Sequence, residues 1–177
     1  GQFAMAESYF RKAVETLTER NPNPYDGEPY YNLGWSCMMQ QKWDEAYDAF
    51  FKSAWNAAWQ DAAYYALAQL DTRKGKYESA LDKIDRSLIR NWHNHKARQL
   101  KTSILRKLGR KEEALALVAE SLQIDRFNMG CRFEHYLLTR DVKVLEEMKE
   151  LMRGWAHGYI EYALDFAAAG LYEEALS

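Results

Sequence analysis

The chain is short of the residues that mark most binding and catalytic motifs. It has two cysteines, Cys37 and Cys131, with neither metal-type spacing nor a disulfide framework. Two free thiols in a reducing, cytoplasmic compartment are therefore expected. No apolar run reaches the roughly 18 residues of a membrane span, and no basic-then-apolar leader opens the chain. All three prolines, Pro22, Pro24 and Pro29, crowd into one stretch, "NPNPYDGEP". A glycine-rich phosphate loop, a nucleophile elbow and a paired-histidine zinc helix are all missing. Glu134–His135 lacks the second histidine four residues on. His93 and His95, in "WHNHK", lack a third ligand, so neither metal nor cofactor is expected. No catalysis is expected either.

What is present is repetition. "QKWDEAYDAF" at 41–50 returns as "GKYESALDKI" and then as "GRKEEALALV". Ala46, Ala80, Ala114 and Met148 stand 34 residues apart, as do Ser53, Ser87 and Ser121. Gly75, Gly109 and Gly170 each follow an apolar-periodic stretch, where a helix closes through a left-handed residue. The paired carboxylates Glu112–Glu113, Glu146–Glu147 and Glu173–Glu174 fit solvated helix starts, which the helix dipole favours.

A fixed 34-residue period with these anchors resembles the tetratricopeptide repeat (TPR), a helix–turn–helix unit. The second unit supplies Tyr30, Leu33, Gly34, Trp43, Ala46 and Phe50; the third, Tyr64, Leu67, Ala68, Tyr77, Ala80 and Ile84. The resemblance implies an all-α solenoid, a right-handed superhelix of antiparallel helix pairs, with about ten or eleven helices. One hairpin cannot bury its apolar face alone, so units stack. The expected units are 1–22 (partial), 27–60, 61–94, 95–128, 129–155 (degenerate) and 156–177 (partial), forming one domain cut from a longer protein. The fifth unit, seven residues short, is expected to have a short second helix and a deviant stacking angle. Where the family places a closing proline, Ala58, Trp92 and Arg126 stand instead.

The resemblance also implies a ligand groove lined by the first helix of each unit. Its candidate residues are Tyr31, Trp35, Met38 and Met39; Tyr65, Gln69, Thr72 and Arg73; and Lys96, Gln99, Ser103, Arg106 and Lys107. Helical geometry agrees for the last set. At 100° per residue its five members share one arc, while Ala97, Leu100, Ile104 and Leu108 fill another. The carboxylate clamp of chaperone-binding members is not matched, because Tyr31 and Trp35 replace its lysine and asparagine.

Charge is unevenly spread. Residues 71–111 hold 13 Lys/Arg and 4 Asp/Glu, a net of +9, between flanks of −4 (1–70) and −7 (112–177). The expected work is non-catalytic protein–protein interaction, with an acidic peptide or another domain of the same chain held in the groove. Nucleic acid is not an expected partner, since the aromatics do not interleave with the basic residues. A second reading makes the chain an accessory region of a larger, carbohydrate-related bacterial enzyme, packing on the catalytic domain or touching a sugar.

Overall fold

The computed structural model describes residues 1–22 and 25–177; Pro24, in the proline-rich stretch, lies outside them. Among the described residues there are eleven α-helices, one short 3₁₀ turn and no strand. After α1 (Phe3–Thr18) they follow in pairs: α2 (Glu28–Met38) with α3 (Trp43–Ser53), and α4 (Gln60–Arg73) with α5 (Tyr77–Arg90). The series continues with α6 (His95–Lys107) and α7 (Lys111–Ile124), α8 (Met129–Thr139) and α9 (Val142–Met152), and α10 (Ala156–Ala168) and α11 (Tyr172–Leu176). The fifth unit's second helix, α9, has eleven residues, as many as α3 and fewer than the fourteen of α5 and α7.

Local chemistry explains the breaks. Gln41, Gly75 and Gly109, 34 residues apart, all take left-handed φ, at 61°, 70° and 73°. Glycine does this without a Cβ penalty. Asn94 and Asn128, also 34 apart, cap α6 and α8 through their side-chain oxygens, which accept from the amides of Ala97 and Cys131. The 34-spaced serines fasten helix ends and are fully buried. Ser53 Oγ donates to Gly27 O at 2.9 Å and Ser87 Oγ to Asp61 O at 2.8 Å, tying the end of one helix to the start of its partner. Ser121 Oγ instead accepts from Arg98 Nε at 2.8 Å.

Small residues set the closeness of the pairs. Ala46, Ala80 and Ala114 are wholly buried. A Cβ on Gly34 would lie 2.7 Å from the Phe50 ring. First helices meet one another directly, α4 with α6 and α6 with α8, more extensively than any second helix meets the next. The array therefore curves, with α2, α4, α6 and α8 on its inner side. Cys37 and Cys131 are both buried and unpaired.

The first helix is fastened by ions. Glu7, 6% exposed, accepts from Lys42 Nζ at 2.7 Å, Gln40 Nε2 at 2.8 Å and Arg11 Nε at 2.8 Å. The Lys42 contact, with Arg11 and Gln40 overcoming the cost of burial, holds its carboxyl down at about 2. A depressed carboxylate contributes stability that is complete above its free value of 4.5 and vanishes as pH falls through 2. Glu7→Gln should therefore melt below the parent chain at pH 7 and alongside it at pH 2. A gap of equal size at both pH values in thermal melts would contradict this ion cluster.

Candidate functional site

The last helix pair does not extend the stack outward. It turns back over the inner face, and the predicted groove residues meet it there. Phe166, Ala169 and Leu171, all buried, join one core cluster with Ala68, Leu100 and Ile104 of α4 and α6. Ala168 packs on the neighbouring cluster around Leu33, Phe50 and Leu67. The Phe166 ring meets Phe133 of α8 edge-on at 5.7 Å.

Arg73 closes the far end. Its Nη2 donates to Ala167 O at 2.6 Å and Ala168 O at 3.2 Å, capping α10, and its Nη1 to the Tyr172 hydroxyl. The same guanidinium lies 4.4 Å from the Trp43 ring centroid. Lys96 Nζ sits 2.8 Å from Asp165 Oδ1. Arg106 bridges two carboxylates: Nε to Glu134 at 2.6 Å, and Nη2 to Glu134 at 3.1 Å and to Glu174 at 2.9 Å. Lys107 Nζ is 2.6 Å from the same Glu174 oxygen. Ser103 Oγ donates to Glu134 at 2.6 Å, and Gln99 fills the space left by Gly130. Tyr65 Oη accepts from Gln69 Nε2 at 3.2 Å.

Eight predicted residues thus share one surface: Tyr65, Gln69, Arg73, Lys96, Gln99, Ser103, Arg106 and Lys107. They were expected to face solvent. Gln69, Gln99 and Ser103 are instead buried, the last two against Gly130 and Glu134 of α8. Tyr31 and Trp35 stand to one side, packed on Phe50 at 5.6 and 5.8 Å between centroids, with Tyr31 also 4.9 Å from Trp59. Met38 and Thr72 turn inward as core, and Met39 is exposed.

Burial and charge compete across this surface. Burial would raise Glu174, but Lys107 and Arg106 outweigh it and hold the carboxyl below the ordinary range. For Asp165 burial wins over Lys96, and its carboxyl is pushed up. Burial opposes the charge on Arg106, yet Glu134 and Glu174 raise it above ordinary arginine. The surface is built to hold carboxylates and a helix end. Among the described residues one group of metal-type ligands comes together, Glu7, Cys37 and Glu45, with donor atoms within 4.8 Å of one another. Arg11 and Lys42 already neutralise those carboxylates, and burial holds the Cys37 thiol protonated. His95 is exposed and 3.8 Å from Asp125.

Glu134 and Arg98 escaped the sequence reading, although both are fully buried. A signal existed for the first. Glu134 occupies the register of Leu100 and Ala66, 34 and 68 residues earlier, both core positions. A carboxylate in a core register must be paired. Asp71, in register with Cys37 and Leu105, obeys the same logic with Lys83 at 2.8 Å.

No protein-family model matches the chain. Solved structures do. A tetratricopeptide repeat protein from Parabacteroides merdae superposes with a TM-score of 0.75 at 20% identity, covering 99% of this chain and 70% of that one. The chain has the tetratricopeptide-repeat fold. YrrB, a TPR protein with an unusual peptide-binding site, matches at 0.63 and 21% identity over 94% of this chain and 87% of its own. MamA matches at 0.65 and 17% identity, over 99% and 84%. At these identities the likeness is one of fold, so the work of this TPR solenoid must be argued from its own residues.

Proposed function

We propose that the chain is a non-catalytic interaction scaffold whose concave face, built by α4, α6 and α8, binds a partner segment bearing carboxylates and apolar anchors. One observation carries the reading. The face already holds such a segment, with Lys96, Arg106 and Lys107 on its carboxylates, Arg73 on its helix end and an apolar strip between them. The central excess of +9 raises the local concentration of an acidic partner. YrrB, of the same fold, has a peptide-binding site, which is in keeping with this use of the face.

A fluorescence screen against acidic peptides with aromatic or leucine anchors, run beside oligosaccharides, tests the proposal. Peptides should bind, with affinity falling as salt shortens the Debye length, and Lys96→Glu with Lys107→Glu should remove both binding and salt dependence. Binding of oligosaccharides alone, insensitive to salt, would overturn it in favour of a sugar-contacting accessory region.

A further inference from the structure

The segment that fills the groove is acidic, and it belongs to the chain itself. Residues 156–177 carry Glu161, Asp165, Glu173 and Glu174 and no lysine or arginine. They lie on a face supplied by the most basic third of the sequence. The match is good in charge and incomplete in fit. Beside the Ala167 and Ala168 carbonyls, Arg73 Nε is buried with no hydrogen-bond partner. A buried donor left without an acceptor is destabilising. Between α10 and the α8–α9 pair remains a cavity of about 460 Å³ lined by Phe133, Met148, Tyr159 and Tyr162. Ile160 lines that cavity and is still 54% exposed, while Leu164, on another side of α10, is 63% exposed. The hold is largely ionic, Lys96 on Asp165 and Arg106 with Lys107 on Glu174, and an acidic competitor can take over such contacts.

We propose that α10–α11 is a displaceable latch: it occupies the concave groove in cis and is exchanged for an acidic amphipathic segment of a partner protein. This rests on reading the groove as the binding face. The partner's chemistry follows from what the latch presents. A carboxylate is followed at once by an aromatic ring, then by small and aliphatic residues on the same side, then by a second carboxylate, as in Asp165, Phe166, Ala169, Leu171 and Glu174. A partner that also brings a carbonyl or carboxylate oxygen to Arg73 Nε gains a hydrogen bond that the latch leaves unmade. Closure reduces apparent affinity by the fraction of molecules that are open.

Gly170 allows a clean test. Its φ is 77°, and an added Cβ would lie 2.9 Å from the Arg73 Cα, so Gly170→Ala combines turn strain with a backbone clash against the groove. Gly109→Ala carries the same kind of strain, at φ 73°, with nothing within 4 Å, and serves as control. A fluorescent synthetic peptide of residues 156–177 is titrated into the full chain, the two glycine variants and Asp165→Ala/Glu174→Ala. Amide exchange is followed in parallel. Gly170→Ala and the double variant should bind the peptide about tenfold more tightly than the parent and Gly109→Ala. Their α10–α11 amides should exchange about tenfold faster, with α4–α7 unchanged. Lys96→Glu/Lys107→Glu, placed in the Gly170→Ala chain, should abolish binding. Equal binding by closed and opened chains overturns the latch and leaves the groove reading standing. No binding by an opened chain whose latch amides exchange fast overturns the groove reading, and the latch with it. A dimer formed by swapping α10–α11 between copies would make a second copy the occupant and overturn the proposal of a foreign partner.

Discussion

Glu134→Ala is expected to cost about 3–5 kcal/mol, the range for removing one member of a buried ion pair. The carboxylate has no exposed surface, and both of its oxygens are committed, to Ser103 at 2.6 Å and to Arg106 at 2.6 and 3.1 Å. Without it the Arg106 guanidinium, 17% exposed, would retain only Glu174 of α11. For a chain of this size the loss corresponds to a melting temperature lower by roughly 6–20 °C. Replacing both partners with leucine should recover most of it, since apolar packing substitutes well for a buried pair. A change under about 1 kcal/mol for the alanine variant, measured by urea unfolding, would mean that the α6–α8 interface is wet and the groove floor is not as described.

Phe50→Ala should be as damaging, at about 3–5 kcal/mol. The ring is fully buried at the centre of the α2–α3–α4 cluster, against Gly34, Tyr31 and Trp35. Deletion leaves a void that three rigid neighbours cannot close. Its sequence neighbour gives the contrast: Phe51 is 47% exposed, and Phe51→Ala should change stability little. Similar losses for the two would show that the helix phase assigned to α3 is wrong.

The repeat was legible because its anchors answer to local physics. Ala46, Ala80 and Ala114 recur where helices touch, and Gly75 and Gly109 where a left-handed turn is required. The two faces of α6 were also readable, since a polar arc opposite an apolar arc is written into "HKARQLKTSILRK". The path of α10 was not. Periodicity reports that a helix has an apolar face and is silent on which surface receives it. Phe166 and Leu171 would look the same in a sixth stacked unit. Two features did point to the closed arrangement: the shortened fifth unit, and the basic centre beside an acidic end. The expected acidic partner was a peptide or another domain of the same chain; Asp165 and Glu174 of α10–α11 are the carboxylates that meet Lys96, Arg106 and Lys107 here. Glu134 was passed over for another reason. Its neighbours in sequence, "CRFEHYLL", resemble any amphipathic helix, and only alignment across 34 residues reveals a carboxylate in a core row.

The most direct test of the account is to ask whether the inner face of the solenoid is in contact with its own last helix pair. Nuclear Overhauser contacts in the intact chain would answer it, with Phe166 ring protons and the Ala169 methyl as reporters. The account predicts contacts from Phe166 to the Phe133 ring, whose centroid is 5.7 Å away, and from the buried Phe166–Ala169–Leu171 strip to Leu100 and Tyr65. Phe166 resonances at solvent-exposed shifts, with no contact to α6 or α8 and a helix pair that stacks outward instead, would contradict it.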